Sequence, residues 1–209
     1  MRHSFVTIEG NIGSGKTTLA QMLAAHYQSR LILEGFADNP FLPSFYKDPE
    51  KSAFPLELFF LAERYQQLKK AVTPDLFIEK TISDYLFIKS LLFAKINLTG
   101  DERALYERLF HIIHPRLPQP DLLIYLHVPL KQLLINIKKR NRAYEQDIQP
   151  DYLEKLQRTY LSYIRNQADN VLLIDLGAAD FQHDPPTFQK IINAIEHKGE
   201  SGLDNLLLD

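Results

Sequence analysis

The sequence predicts an α/β protein of three layers, in which helices cover both faces of a five-stranded parallel sheet. Short apolar runs alternate along the chain with longer stretches whose apolar residues recur at helical spacing. A glycine-rich stretch follows the first apolar run directly, and no internal repeat or low-complexity linker interrupts the alternation. Strands and helices that alternate in this way form βαβ units, which assemble into parallel sheets with right-handed crossovers.

Five apolar runs are predicted to be the strands. The first, Phe5–Glu9, is mostly apolar and lacks strict alternation, which is typical of a strand buried on both faces of a parallel sheet. The other four are Leu31–Leu33, Leu76–Glu79, Leu122–Val128 and Val171–Ile174.

Helical spacing predicts most of the elements between these strands. The predicted helices are Thr17–Tyr27, Leu56–Val72, Tyr85–Ile96, Glu102–Ile113, two helices on either side of a basic loop within residues 130–167, and Phe188–Ile195. The segment Asp38–Pro55 contains Pro40, Pro43 and Pro49, and we expect it to be broken helix and loop that line a cavity. Residues 198–209 are expected to be a loose tail or a segment that docks on a partner chain.

The composition excludes several classes of protein. The 209 residues, of which 45% are hydrophobic and 24% charged, suit a single globular domain over residues 1–209. A formal net charge of −2 gives no reason to expect a nucleic-acid polymer as partner, and the lack of cysteine excludes disulfides and thiolate metal sites. No apolar run approaches the length that crosses a bilayer, and the first motif leaves no room for a signal peptide. We therefore expect a cytoplasmic protein without a membrane partner.

A phosphate-binding loop is predicted between the first strand and the first helix. The residues Gly10 to Thr17, GNIGSGKT, fit the pattern G-x-x-x-x-G-K-[ST]. Backbone N–H groups of such a loop surround the β-phosphate of a nucleotide, the lysine reaches the β- and γ-phosphates, and the threonine hydroxyl binds Mg²⁺. The predicted ATP-binding residues here are Gly10, Asn11, Gly13, Ser14, Gly15, Lys16, Thr17 and Thr18. The motif alone does not separate kinases from motors or binding modules, although no Asn-Lys-x-Asp signature supports a GTPase.

Three carboxylates are predicted near the ends of strands, where an open α/β sheet places its ligand crevice. They are Glu34, Glu79 and Asp84. A hydroxyl that accepts a phosphoryl group needs a carboxylate within hydrogen-bond reach, and the shared position of these three favours that role. Taken singly, each one more often indicates a surface carboxylate or a helix cap.

From Phe5 to about Phe181 the sequence resembles the deoxynucleoside kinases. IEGNIGSGKTT is similar to the opening IEGNIxxGKST of that family, and Asp151–Leu156 also matches it. The resemblance implies a P-loop kinase-type fold with a helical lid, and an enzyme of nucleotide salvage that moves the γ-phosphoryl of ATP, with Mg²⁺, to the 5′-hydroxyl of a deoxynucleoside. It also implies a homodimer formed through the helices near residues 55–72 and 83–97.

The resemblance assigns roles to residues on the acceptor side. Glu34 matches the general base that accepts the 5′-hydroxyl proton, and Tyr46 matches a tyrosine that contacts the sugar 3′-hydroxyl. The block Glu79-Lys80-Thr81-Ile82-Ser83-Asp84 resembles the Glu-Arg-Ser-x-x-Ser-Asp of the family. By that match Glu79 holds Mg²⁺ together with Thr17, Lys80 contacts phosphate, and Asp84 contacts the base together with Arg64.

The basic stretch near residues 138–147 resembles the lid of the family. Arg140 and Arg142 would close over the transferring phosphate, and Glu145 would share the 3′-hydroxyl with Tyr46. Without the resemblance, such cations at a helix end would indicate only a solvated face that is favourable to the helix dipole. Asp180 and Phe181 resemble a pair whose backbone recognises the adenine of ATP.

Two departures from the family pattern affect these roles. Lys80 replaces an arginine, so a bidentate fork becomes a point charge. Glu57 stands where many members carry a base-reading glutamine, and a carboxylate only accepts hydrogen bonds. Because guanine offers two adjacent donors, N1–H and N2–H₂, we expect Glu57 to favour deoxyguanosine and leave Arg64 to O6 or N7. Alternatively, Glu57 forms an ion pair with Arg64 or lies on the helix surface, and the residue that stacks on the base is by offset Ile88.

Two other functions remain open from the residues alone. A nucleoside monophosphate kinase would need a site for an acceptor phosphate, where Tyr46 and Glu145 instead suggest recognition of a hydroxyl. A non-catalytic ATP-binding module should have lost the base or the lid, whereas Glu34, Glu79 and the lid arginines are present.

Overall fold

The computed structural model of the protein describes residues 1–35, 39–71, 80–167 and 169–208. Six strands in these ranges form one sheet in which every pairing is parallel. They are β1 Phe5–Gly10, β2 Arg30–Ile32, β3 Thr81–Ser83, β4 Leu122–His127, β5 Asn170–Asp175 and β6 Gly202–Leu207. Their order across the sheet is β2-β3-β1-β4-β5-β6, so β1 and β4 lie at the centre.

Eight α-helices of the described ranges surround this sheet. They are α1 Lys16–Tyr27, α2 Leu42–Phe45, α3 Pro49–Ala71, α4 Lys89–Asn97, α5 Gly100–Ile113, α6 Leu130–Arg140, α7 Pro150–Gln167 and α8 Pro185–His197, with short 3₁₀ turns at His114–Arg116 and Ala143–Glu145. None of these helices has both the length and the apolar character needed to cross a membrane.

Alternating residues of β4 show how the three layers are held together. Leu122, Ile124 and Leu126 join a buried cluster with residues of α1, α6 and α8. Leu123 and Tyr125 join a different cluster, with residues of α4 and α7 on the opposite face. Successive side chains of a strand point to opposite faces, so a strand that is apolar at every position is covered on both. The predicted α/β/α architecture is therefore confirmed.

The prediction of five strands and a loose tail is wrong at the carboxyl end. The segment assigned to a tail at residues 198–209 contains β6, which pairs in parallel with β5 from Asn170↔Gly202 to Asp175↔Leu207. Most side chains of β6 are exposed, because it is an edge strand. The continuous apolar run of this segment, Leu206–Leu208, covers only the end of the strand, so it did not mark residues 202–207 as a strand.

The third strand also differs from its prediction. It covers Thr81–Ser83, whereas the predicted run Leu76–Glu79 falls outside the described residues. β3 pairs with both β1 and β2, and Thr7 is opposite Ser83. Asp84, which follows Ser83, therefore lies beside the loop that follows β1, and Lys80, which precedes Thr81, lies at the opposite ends of the strands.

The proline-rich segment is more helical than predicted. Pro49 begins α3, and Pro55 lies inside that helix, although the segment up to Pro55 was expected to be broken helix and loop. Proline is tolerated in the first turn of a helix, because the N–H groups there have no intrahelical partner. At Pro55 one backbone hydrogen bond is lost, but its neighbours Ala53 and Leu56 are buried in the core. Packing of these residues therefore stabilises a helix that the local pattern opposes.

Candidate active site

The glycine-rich loop between β1 and α1 has a conformation that brings its backbone close to a ligand. Gly13 and Gly15 have φ values of 83° and 90°, in the left-handed region that other residues rarely adopt. A Cβ atom at Gly15 would also lie 3.2 Å from the ring of Phe181. Glycine at these two positions thus leaves the N-terminus of α1 open to an anion.

Lys16 is held inside this loop by backbone carbonyl groups. Its Nζ donates to the carbonyl oxygens of Gly10 and Asn11, both at 2.9 Å. Burial, and then the charge of Lys89, lowers the pKa of Lys16 to about 8. The Asn11 side chain points away from the loop and donates to the carbonyl of Leu153 at 2.7 Å, so it anchors the loop to α7. The charges of Glu9, Glu34 and Asp84 act in the opposite direction on the pKa of Lys16, and the negative charge of a bound phosphate would add to theirs.

Thr17, in the first turn of α1, is held by Asp84. The Thr17 hydroxyl donates to Oδ2 of Asp84 at 2.6 Å, and Oδ1 of Asp84 accepts from the backbone N–H of Glu34 at 2.7 Å. Asp84 immediately follows β3, which pairs with β1. The register of the sheet therefore places this carboxylate at the phosphate loop.

Glu34 is clamped between two cations. Its Oε1 accepts from Nε and Nη2 of Arg64 at 2.8 and 2.7 Å, and its Oε2 accepts from Nζ of Lys89 at 2.6 Å. Burial by itself would raise the pKa of Glu34, but the charges and hydrogen bonds of Lys89 and Arg64 outweigh it and lower the pKa to about 2. Arg64 also donates from Nη1 to the hydroxyl of Ser90 at 2.8 Å. The carboxylate is thus kept ionised and fixed in direction.

Two cavities meet at the phosphate loop. Both are lined by Gly13, Lys16, Thr17, Arg140 and Arg142. We call the first the acceptor cavity; its other lining includes Glu34, Tyr46, Glu57, Phe60, Arg64, Asp84, Lys89, Phe93, Asn97, Glu145 and Tyr152. We call the second the donor cavity; its other lining includes Ser14, Gly15, Thr18, Val128, Asn136 and residues 176–183, among them Asp180 and Phe181. A group bound at Lys16 and Thr17 is accessible from both sides, which is the arrangement that transfer between two ligands requires.

Glu57 lines the acceptor cavity and has one unpaired carboxylate oxygen. Its side chain is 1% exposed, and Oε1 accepts from Nδ2 of Asn97 at 2.7 Å. Oε2 is buried and has no hydrogen-bond partner within the described part of the chain. Burial raises the pKa of Glu57 to about 7. The alternatives of a surface position and of an ion pair with Arg64 are wrong, because Glu57 is buried and Arg64 is bound by Glu34 and Ser90.

Aromatic and hydroxyl groups complete the acceptor cavity. The rings of Phe60 and Phe93 line it, whereas Ile88, predicted to stack on the base, packs into the hydrophobic core beside the cavity. Tyr46 and Glu145 both line the cavity, and burial followed by the charge of Glu145 raises the pKa of the Tyr46 hydroxyl. These two predicted partners of one sugar hydroxyl are therefore neighbours.

The predicted lid starts where α6 ends. Asn141 adopts the left-handed conformation, with φ of 53°, and terminates α6 after Arg140. The chain then folds back so that the buried carboxylate of Glu145 accepts from Arg140 Nε at 3.0 Å and from Arg142 Nη1 at 3.3 Å. Both arginines are thus held at the junction of the two cavities.

Two predicted roles do not agree with this geometry. Lys80 precedes β3 and lies at the amino edge of the sheet, with its Nζ 5.9 Å from the centroid of the Tyr27 ring, and it lines neither of the two cavities. Asp84, predicted to contact the base together with Arg64, instead binds Thr17 and the backbone of Glu34, whereas Arg64 binds Glu34 and Ser90. The metal role predicted for Glu79 lies outside the described residues.

Several residues of the acceptor cavity were not apparent from the sequence. Lys89, Asn97, Phe60, Phe93 and Tyr152 were not singled out, although all five line the cavity. Lys89 could have been noticed as the one charged residue in the apolar stretch Tyr85–Phe93. The others lie on helices whose apolar face is also core, so their spacing does not distinguish a cavity wall from packing.

The donor set at the phosphate loop suits a magnesium ion. The described residues contain no cluster of three or more His, Asp or Glu side chains that could hold a metal by themselves. Magnesium is commonly held by one or two carboxylates together with substrate phosphates. The Thr17 hydroxyl and the Asp84 carboxylate, 2.6 Å apart beside the loop, supply the hard oxygen ligands that this mode of binding requires.

Comparisons with known proteins place this geometry in a family. A family model described as deoxynucleoside kinase matches residues 6–198. The deoxyguanosine kinase of Bacillus subtilis (strain 168) is 38% identical over 195 residues, covering 90% of this chain and 93% of that protein. The deoxyadenosine kinase of Lactobacillus acidophilus is 30% identical over 208 residues, covering 92% and 95%. A solved structure of deoxyadenosine kinase from M. mycoides with the products dCMP and a flexible dCDP is 26% identical, with a TM-score of 0.78 over 92% of this chain and 98% of that one.

Proposed function

This chain belongs to the deoxynucleoside kinase family and phosphorylates deoxynucleosides, and we propose that it transfers the γ-phosphoryl group of ATP to the 5′-hydroxyl of deoxyguanosine in preference to other deoxynucleosides. ATP would occupy the donor cavity, with its adenine near Asp180 and Phe181 and its phosphates in the glycine-rich loop. The deoxynucleoside would occupy the acceptor cavity, with its 5′-hydroxyl directed to Glu34.

In this proposal the chain acts mainly by positioning and by charge. Glu34 accepts the proton of the 5′-hydroxyl as that oxygen attacks the γ-phosphorus in line with the leaving ADP. Tyr46 and Glu145 hold the 3′-hydroxyl, and this contact of Glu145 frees the lid arginines to approach the γ-phosphate. Magnesium, when bound, neutralises charge on the β- and γ-phosphates, and Thr17 and Asp84 are positioned to hold it.

The preference for deoxyguanosine rests on the unpaired Oε2 of Glu57. Asn97 holds Oε1 and leaves it a further lone pair, so the carboxylate can accept two parallel hydrogen bonds from one partner. Guanine offers adjacent N1–H and N2–H₂ donors to such an acceptor. Adenine, cytosine and thymine would each present an acceptor or leave one oxygen unpaired, which is costly in a buried site.

Turnover of the four deoxynucleosides by wild type and Glu57→Gln at saturating Mg·ATP tests this proposal. We expect wild type to favour deoxyguanosine and Glu57→Gln to lower that preference, measured as the ratio of kcat/KM values, by about tenfold to a hundredfold. Glu50→Gln, an exposed change in the first turn of the same helix, is the matched control and should leave the ratio unchanged.

The pH dependence of kcat/KM for deoxyguanosine provides a second readout. Because Glu57 has a pKa of about 7 in the folded protein, it is ionised only above that pH and can then only accept hydrogen bonds. The kcat/KM of wild type for deoxyguanosine should therefore fall as the pH decreases through about 7, and the Glu57→Gln variant should lose this step. An unchanged base preference in Glu57→Gln would refute the assignment of Glu57 and leave the kinase activity itself untouched.

The assembly and location of the enzyme are also proposals. We propose a homodimer that uses α3 and α4, which contain most of the two segments that the family resemblance indicates, and a cytoplasmic location. Sedimentation equilibrium of the purified chain and fractionation of cells that express it would decide these two points.

A further inference from the structure

Lys89 has an unusual position for a charged residue. It is the first residue of α4, it is buried, and it lines the acceptor cavity with its Nζ 2.6 Å from Oε2 of Glu34. The same ammonium lies 5.4 Å from the centroid of the Phe93 ring. Its charge also contributes, after burial, to the low pKa of Lys16, so the two lysines face a common space.

The two cations on Glu34 are not equivalent. Arg64 is fixed by contacts at both ends of its guanidinium, with Glu34 on one side and the Ser90 hydroxyl on the other. Lys89 has a flexible stem and a compact charge with three donors. Its ammonium donates a hydrogen bond to Glu34. Arg64 can therefore keep Glu34 in place while Lys89 changes partner.

We propose that Lys89 moves its charge from Glu34 to the transferring phosphoryl group during the reaction. This is the phosphate-contacting role that the sequence resemblance gave to Lys80, which lies at the opposite edge of the sheet. The inference rests on the proposed role of Glu34 as the proton acceptor.

The movement of Lys89 accompanies the bond changes of the phosphoryl transfer. The O5′–H bond breaks and its proton goes to Glu34, the O5′–Pγ bond forms, and the bond from Pγ to the bridging oxygen breaks with its electron pair left on ADP. Arg64 remains bound to both Glu34 and Ser90, so Lys89 is the one of these two cations whose ammonium can turn toward the phosphoryl group. Negative charge develops meanwhile on the phosphoryl oxygens and the leaving group, and a cation that reaches this charge in the transition state can raise the rate by about 10³-fold or more.

The absence of cysteine from the sequence allows a direct test of the charge. Lys89→Cys carries a single thiol, which is alkylated in denaturant and refolded together with wild type treated in the same way. Bromoethylamine adds an ammonium of nearly the length of lysine, and bromoethanol adds a neutral group of the same size. Lys95→Cys, exposed on the same helix, is the matched control.

We expect Lys89→Cys to lower kcat by about 10²–10³-fold with KM for both substrates changed less than about threefold, because the lost interaction forms mainly in the transition state. The aminoethyl adduct should recover at least tenfold in kcat, and the hydroxyethyl adduct should not. The assay uses whichever deoxynucleoside wild type phosphorylates fastest, so it does not depend on the preference for guanine. Equal recovery with both adducts, or a loss confined to KM, would overturn the proposal.

A second pair of variants covers the case in which the alkylated chains do not refold. Lys89→Arg and Lys89→Met, expressed and purified without alkylation, differ in charge and are similar in length. Lys89→Arg should retain at least tenfold more kcat than Lys89→Met at similar melting temperature. Equal kcat in the two variants would show that the charge at this position is not used in the reaction.

Discussion

Asp84 illustrates how one residue can link the two halves of the site. It accepts from the side chain of Thr17 through one oxygen and from the backbone of Glu34 through the other. The first contact lies at the phosphates and the second at the segment that carries the predicted base. Asp84 therefore relates the position of the phosphate loop to that of Glu34.

Replacing Asp84 by Asn tests this placement against the role that the resemblance predicted. The amide keeps one acceptor oxygen but turns an NH₂ group toward the second donor, so one of the two contacts is lost. We expect the Mg²⁺ concentration for half-maximal rate to rise and kcat to fall, each by about tenfold or more, because a metal ligand loses its charge. The ratio of kcat/KM values among the deoxynucleosides should stay the same, and a changed ratio would return Asp84 to the base. Asp101→Asn, exposed in the first turn of α5, serves as the control.

Single residues were located well from the sequence where their position follows from an adjoining strand or a local motif. Residues of the glycine-rich loop, Glu34 after β2 and the lid arginines line the acceptor cavity, the donor cavity or both. Lys80 and Asp84 were assigned by matching a block of letters, and that match does not report where the strand begins. Because β3 starts at Thr81, Lys80 falls at the amino edge of the sheet and Asp84 at the carboxyl edge. Whether a residue lies at the amino or the carboxyl end of a strand depends on where that strand begins. Pairing with the neighbouring strands decides this.

Among the elements, β6 depends most on contacts that a local pattern does not reveal. It is an edge strand whose side chains are mainly exposed, and it is fixed by backbone pairing with β5. The buried Lys198 donates to the carbonyl of Ser201 at 2.9 Å and lies 3.5 Å from Asp204, so it secures the turn into the strand. Leu208, directly after β6, is only 4% exposed and joins the core beneath the sheet.

The adjacent leucines at the end of β6 provide a matched pair for measuring its contribution. Leu208→Ala should lower the free energy of unfolding by about 2–4 kcal/mol, because it removes buried methyl groups and leaves a cavity. Leu207→Ala changes a side chain that is 73% exposed and should alter the free energy by less than about 0.5 kcal/mol. Urea unfolding of both variants at constant m-value measures the difference. Equal small effects would mean that residues 202–208 are a loose tail in solution, as the sequence first suggested.

The helices also differ in whether local sequence or tertiary packing causes them to form. α8 could be placed from its apolar spacing, and its start is also local: Asp184 accepts from the N–H of Thr187 at 3.1 Å, and Pro185 occupies the first turn. α3 could not be placed fully, because Pro55 opposes a helix that burial of its neighbours requires. Elements with caps and clear periodicity are predictable from sequence, whereas those held by packing or edge pairing are not.

In the whole molecule, the order of the strands determines where the two ligands meet. β3 and β4 flank β1, so the ends of all three converge on the glycine-rich loop. The acceptor cavity lies on the side of β2 and β3, whose ends carry Glu34 and Asp84, and the donor cavity lies on the side of β4 and β5, whose ends are followed by Val128 and Leu176. The two ligands would therefore meet at the γ-phosphate of ATP, beside the glycine-rich loop that both cavities share.

A ligand that spans both cavities should therefore bind far more tightly than either half. We predict that adenosine and deoxyguanosine joined 5′ to 5′ through five phosphates will bind at least about 10²-fold more tightly than ADP, because the second half binds at high effective concentration. The resulting rise in melting temperature, which follows the ratio of ligand concentration to Kd, should exceed the rises with ADP and with deoxyguanosine separately. The analogue with adenosine at both ends should bind more weakly in wild type, and the difference should shrink in Glu57→Gln if that residue reads guanine. A linked ligand that stabilises the protein no more than ADP would show that the cavities are not filled together, and in-line transfer between them would have to be abandoned.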